Sequence, residues 1–155
     1  MRGEPPGSPG GSSIATQTRC RPMPPNPQDI YPCLSYRDPA AAIAWLAEAF
    51  GCRTVVEHKG PDGSIVHAEL ALGASMIMLG SAQPDKGWIS PLDLPAVNQG
   101  LYVILDDVEA HHDRARAAGA EIIRPLNVTD YGSREYAAKD LEGHHWNFGT
   151  YRPGA

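Results

Sequence analysis

Along the chain, blocks of apolar and polar positions switch twice between the period of a strand and the period of a helix. Ile30 to Tyr36 is an apolar stretch, and beyond it Ile43, Leu46, Ala47 and Phe50 follow the i, i+3, i+4, i+7 spacing of one buried helical stripe. Asp38 is the predicted N-cap of that helix, with Pro39 at its first position and Gly51 suited to a left-handed C-terminal cap. Extended runs come next: Arg53 to His58, then Ile65 to Leu72 after the turn Pro61-Asp62-Gly63, then Ser75 to Leu79 after Gly73. Leu101 to Leu105 starts the order again. Asp107 caps a helix over Val108 to Ala118 that ends at Gly119, and strands are predicted at Glu121 to Arg124, Arg134 to Lys139 and His144 to Thr150.

The spacing of the punctuating residues matches between the halves. Asp107 follows Asp38 by 69 positions, Gly119 follows Gly51 by 68 and Gly143 follows Gly73 by 70. Each half is therefore a predicted β-α-β-β-β unit, the first over about 30–80 and the second over about 99–151. A unit of four strands and one helix buries one sheet face and leaves the other curved and open. The expected fold is α+β, with two such units pairing into a half-open barrel around a central cavity. The long connection from Ser81 to Asn98, which carries Trp88, Pro84, Pro91 and Pro95, is positioned to lie over the opening.

Composition separates the ends of the chain from its centre. Residues 1–28 hold seven of the 15 prolines and four glycines with almost nothing apolar, the signature of a disordered tail, which leaves 29–155 as one domain. That domain keeps ten Lys and Arg against 17 Asp and Glu, so phosphate backbones are repelled and nucleic acid is not an expected partner. No apolar run reaches membrane-spanning length and no secretory signal is present, so the expected location is the cytoplasm. Cys20, Cys33 and Cys52 are odd in number and widely spaced, as reduced thiols rather than a disulfide or zinc framework.

The runs Tyr131-Gly132-Ser133-Arg134-Glu135-Tyr136 and Asp140-Leu141-Glu142-Gly143-His144-His145-Trp146-Asn147-Phe148-Gly149-Thr150-Tyr151 resemble the C-terminal signature of the vicinal oxygen chelate superfamily. Val66-His67-Ala68-Glu69-Leu70 and Leu105-Asp106-Asp107-Val108 are similar to its glyoxalase and bleomycin-resistance-like branch, and the likeness spans about Ile30 to Pro153. In metal-dependent members, His and Glu from four strands meet a divalent ion that acts as a Lewis acid towards vicinal oxygens. The resemblance places those positions at Tyr31, Ile77, Leu101 and Asn147. None is an imidazole or a carboxylate, and a shift of one residue gives Pro32, Met76 or Met78, Gly100 or Tyr102, and Trp146 or Phe148. Neither metal nor cofactor is therefore expected.

Alternation assigns the pocket walls. Val66, Ala68, Leu70 and Leu72 form a helix-side face, which turns His67 and Glu69 towards the cavity. Tyr31, Cys33 and Ser35 face inward on the first strand, His145 and Asn147 on the last, and Ile77, Leu79, Leu101 and Val103 complete an apolar floor. His67 and Glu69 can form a general acid/base pair, or simply a solvated strand face. Arg134 and Glu135 can recognise a polar ligand group or pair at the strand edge. Trp88 is the aromatic best placed to stack on a ligand, while Met76 and Met78 read as core. His111-His112 and His144-His145 diverge too far to chelate as pairs, so core or surface histidine is the expectation. The reading is a metal-free binding protein for a small aromatic or drug-like organic molecule, as in bleomycin-resistance-like members. The alternative is a glyoxalase-type lyase or isomerase, or a dioxygenase-like enzyme, using His67 and Glu69. A homodimer sharing the cavity between subunits stays open beside a single-chain cavity.

Overall fold

In the computed structural model, residues 28–154 are described. The tail predicted over 1–28 lies outside them, except for Gln28. Gln28 belongs to the domain, because its amide pairs with the backbone of Met76, accepting from the N–H at 2.7 Å and donating to the carbonyl at 2.9 Å. The first unit comprises β1 (Cys33–Tyr36), α1 (Pro39–Phe50), β2 (Arg53–Lys59), β3 (Ile65–Leu72) and β4 (Ser75–Ser81). The second comprises β5 (Gly100–Ile104), α2 (Val108–Ala117), β6 (Glu121–Val128), β7 (Arg134–Lys139) and β8 (His145–Gly149). Strand order is β1-β4-β3-β2 in one sheet and β5-β8-β7-β6 in the other, each with one parallel pair, and no ladder closes them into a barrel. β6 outruns its predicted end at Arg124 by passing Pro125 through a register irregularity, where a residue without an N–H is tolerated.

The helix ends form as their residues dictate. Asp38 accepts from the Ala41 N–H at 3.0 Å and Asp107 from the Ala110 N–H at 2.9 Å. Gly51 closes α1 at φ 78°. Arg114 on α2 reaches across to the end of α1, donating to the carbonyls of Glu48 at 2.6 Å and Ala47 at 2.7 Å, so one unit caps the helix of the other.

One core joins the two units. Phe50, at the end of α1, lies 4.8 Å from Phe148, 5.2 Å from Trp146 and 5.0 Å from Trp45 between ring centroids. Cys52 sits beside it as a free thiol that burial pushes up to about 12, against the pull of Arg114. His111 completes the cluster, with Nε2–H donating to the Phe50 carbonyl at 3.1 Å and Nδ1 accepting from the Tyr136 hydroxyl at 2.6 Å. Burial lowers the His111 pKa, outweighing the Phe50 carbonyl that raises it. The unfolded imidazole, with a pKa of about 6.5, therefore binds protons more readily than the folded one. Stability should fall as pH drops below that value and level off once the folded ring also protonates. Urea melts between about pH 7.5 and 5.5 should show a shallower pH slope in His111→Gln than in the parent; equal slopes would remove His111 from the account.

Buried carboxylates make the second joint. Asp140 accepts from the Tyr36 hydroxyl at 2.6 Å, from Trp146 Nε1 at 3.0 Å and from three backbone N–H groups of its own turn. Glu142 accepts from the backbone N–H of Arg37 at 2.8 Å and of Asp38 at 2.9 Å, and from the hydroxyl of Ser90. Ser90 is fully buried in the 82–99 connection, so the same carboxylate anchors that loop.

Candidate functional site

The larger cavity is a cleft of about 980 Å³ between the edge of β5 and the start of β1, with the β3–β4 turn along one side. Tyr31, Cys33, Ile77, Trp88, Leu101, Val103 and His145 all line it, so seven of the predicted pocket residues meet there. Arg134 and Asn147 do not. Arg134 pairs with Glu109 on α2, and Asn147 donates to the Leu101 carbonyl at 3.2 Å. A smaller cavity of about 170 Å³ lies on the open face of the first sheet, lined by Cys33, Ser35, His67, Met78 and Gly80 from the strands and by Gln83 and Trp88 from the loop.

Trp88 is common to both cavities and is 53 % exposed. It is held rigidly for a loop residue, because its backbone exchanges two hydrogen bonds with Gln83, at 2.7 and 3.1 Å. His67 Nε2 lies 3.2 Å from Glu69 Oε1, each side chain about one-third exposed, and the His58 ring stacks on His67 with centroids 6.0 Å apart.

Ladder register corrects four of the inward assignments. Cross-strand partners share a face, and Leu70 pairs with Ile77, Ala68 with Leu79, Leu101 with Trp146 and Val103 with Phe148. Ile77 and Leu79 are thus core residues and Leu101 and Val103 pack against the core, while Ile77, Leu101 and Val103 also line the cleft. Their neighbours take the open face: Met76, Met78, Gly100 and Tyr102. The assignment of Met76 and Met78 to the core is corrected with them. Met-Ile-Met-Leu and Leu-Tyr-Val-Ile are continuous apolar runs, so alternation alone leaves their parity unset. Val66 is also corrected, from the helix face to 54 % exposed; Ile65 is buried instead, where the β2–β3 ladder slips between His58 and Lys59.

Residues 31–148 match the Glyoxalase/Bleomycin resistance protein/Dioxygenase superfamily. The chain belongs to this superfamily. An uncharacterised Mycobacterium bovis protein is 31 % identical over 123 residues, covering 77 % of this chain and 81 % of that one. TioX from Micromonospora sp. ML1 is 30 % identical, with 83 % of this chain and 99 % of that chain covered at a TM-score of 0.65. A bleomycin-binding protein complexed with bleomycin shares the fold at 18 % identity and a TM-score of 0.58, over 81 % of this chain and 99 % of that one.

Neither the metal positions that the resemblance implies, Tyr31, Ile77, Leu101 and Asn147, nor their open-face neighbours Met76, Met78, Gly100 and Tyr102 carry an imidazole or a carboxylate. A divalent Lewis acid needs imidazole or carboxylate there, and none is present. Among the described residues no three His, Cys, Asp or Glu side chains form a metal-holding group. The residues at these positions do not fit a metal centre of the superfamily type. His111 and His144 are committed elsewhere: His111 to the core, and His144 to the Ser35 carbonyl at 3.0 Å through Nε2. Glu135 is only 3 % exposed, and it pairs with Arg124 at 3.2 Å and accepts from the Tyr131 hydroxyl at 3.1 Å, not with Arg134.

Sequence reasoning passed over Asp140 and Glu142 as turn residues. Their only signal is their place in the superfamily signature, since the partners that tie them to the first unit lie 104 or more positions away, at Tyr36, Arg37 and Asp38. No helix of the described residues is long and apolar enough to cross a membrane.

Proposed function

We propose that this protein sequesters a flat, partly aromatic organic compound in the cleft between its sheets, without a metal, and acts by binding rather than catalysis. The observation that supports this reading is the cleft itself: about 980 Å³, large enough for a drug-sized molecule, and walled mainly by Tyr31, Met76, Ile77, Leu101, Tyr102 and Trp88. Apolar and sulfur-bearing side chains stand where a catalytic metal would require hard ligands. The bleomycin-binding protein lends support, because the same fold there holds bleomycin. Antibiotic sequestration in the cytoplasm fits this reading, as does a homodimer that shares the cavity between subunits.

Isothermal titration with flat antibiotics and bicyclic heteroaromatic compounds is the test. Saturable binding is expected, and Trp88→Ala should weaken it roughly three- to tenfold, the worth of one aromatic contact. Absence of heat and of tryptophan fluorescence change across the series would sink the proposal. A second reading keeps one specific observation, the 3.2 Å His67–Glu69 pair, as an acid/base couple of a glyoxalase-type lyase or isomerase, or of a dioxygenase-like enzyme. Near-stoichiometric metal in protein purified without chelator, lost in His67→Ala, would favour that reading instead.

A further inference from the structure

The cleft is lined by every residue from 100 to 106, and on its opposite wall by the unbroken run from 30 to 34. Successive side chains of a strand point to opposite faces, so a cavity that touches all of them lies along the strand's edge. β5 and β1 are the end strands of their sheets, paired on one side only, with β8 and β4. The cleft is therefore a channel between two sheet edges.

Backbone direction along β5 follows from two bonds. The Leu105 N–H donates to the Gly149 carbonyl at 2.9 Å, and the Leu101 carbonyl accepts from the Asn147 side chain on β8 at 3.2 Å. In a parallel ladder alternate residues turn both backbone groups to the neighbouring strand. Positions 101, 103 and 105 thus face β8, and the N–H and C=O of Gly100, Tyr102 and Ile104 face the cleft. These three are also the exposed residues of β5. Among the described residues no strand pairs with that side. The β1 edge offers less, because the Ser35 carbonyl already accepts from His144 and the Arg37 N–H already donates to Glu142.

A donor and an acceptor on every second residue form a template that another extended amide backbone matches along its whole length. The edge lies inside a cleft whose other walls are Ile30, Tyr31 and the turn from Gly73 to Met76. A single extended chain reaches it there, whereas a second folded copy would bring a whole sheet against those walls. We propose that the cleft takes an extended peptide as an added strand along β5, bonded to the outward backbone groups of Tyr102 and Ile104. Alternate guest side chains then fall on the two sides of the edge, one set towards Leu101 and Trp146 and the other towards Tyr102 and His145. This rests on the reading of the cleft as a binding site and names the chemistry of the guest as linear and amide-linked.

Amide hydrogen exchange of the full chain, read by NMR with and without a set of capped pentapeptides bearing a central aromatic residue, tests this. In the free protein the Tyr102 and Ile104 amides should exchange roughly tenfold or more faster than those of Val103 and Leu105, and saturating peptide should slow them by a similar factor. Methylating the peptide's backbone nitrogens one at a time should weaken binding roughly fivefold at alternate positions, the worth of one hydrogen bond each. Ile104→Pro deletes an outward N–H at an edge position that accepts proline, so it should fold and lose a similar factor in peptide affinity; the exchange pattern and the methylated peptides decide the matter without it. Tyr102 and Ile104 amides already protected in the free protein would overturn the proposal, since another part of the chain, or a second copy where protection grows with concentration, then holds the edge. Peptide binding that leaves both amides fast, or that ignores which nitrogens are methylated, overturns it as well. If flat heteroaromatic compounds still bind by calorimetry in those cases, the cleft remains a binding site; if neither class binds, both readings fall.

Discussion

Asp140→Ala is expected to lower stability by about 4 kcal/mol and the melting temperature by roughly 15 °C. The carboxylate accepts five hydrogen bonds, and truncation strands the Tyr36 hydroxyl and the Trp146 indole N–H in a core where neither is reached by water. Burial, then the neighbouring Asp140 carboxylate, holds the Tyr36 phenol well above its ordinary pKa, so Tyr36 stays a donor and cannot itself replace the lost charge. Three backbone N–H groups of the 140–144 turn lose their acceptor at the same time. Tyr36→Phe alone should cost far less, because it removes one donor and leaves Asp140 four others. A double-mutant cycle between the two, read by urea denaturation, should give a coupling of about 1–2 kcal/mol. Strict additivity would show that the joint between the units does not run through this bond.

Phe50→Ala is expected to cost about 4 kcal/mol, within the range for large-to-small change at a packed aromatic. Phe50 is almost wholly buried, and its ring contacts side chains from both units: Trp45 from the first, and His111, Trp146 and Phe148 from the second. The cavity left behind would therefore open between the halves rather than inside one. Two losses should appear together, a lower urea midpoint and weaker retention of any cleft ligand, because Phe50 packs between the two units whose edges line the cleft. Phe50→Leu should recover most of both. If Phe50→Ala destabilised the fold while leaving cleft affinity intact at a temperature where the protein stays folded, the aromatic cluster would hold the core without setting the width of the cleft.

Much of the architecture is legible in the sequence because it is local. Asp38 and Asp107 announce their helices by a hydrogen bond spanning three residues, and Gly51 ends one by a backbone angle that side-chain-bearing residues avoid. Eight strands and two helices appear in the predicted order, with β1 shorter and β6 longer than hydrophobic spacing puts them. The site is less legible because it depends on parity. Val66 to Leu72 alternates, so Ala68, Leu70, His67 and Glu69 are assigned to the correct faces, whereas Met76 to Leu79 and Leu101 to Ile104 do not alternate and only ladder register decides them. Asp140 and Glu142 are illegible for another reason: a carboxylate in a turn is ordinarily solvated, and nothing local marks one that also takes partners from the other unit, Tyr36 for Asp140 and the Arg37 and Asp38 N–H groups for Glu142.

The two sheets repeat one strand order, yet their walls are chemically unlike. Where the first presents Cys33, Met78, His67 and Glu69, the second presents Gly100, Tyr102, Asn147 and the sequestered Glu135. Such a pair of sheets has the backbone of a two-fold arrangement and none of its degeneracy. Under the binding reading, a guest of pseudo-symmetric shape held between the two units would find its two ends inequivalent, so it would settle in one pose rather than two. On the proposed binding reading, the diverged halves would turn a symmetric scaffold into a polar receptor, one able to tell the head of a molecule from its tail.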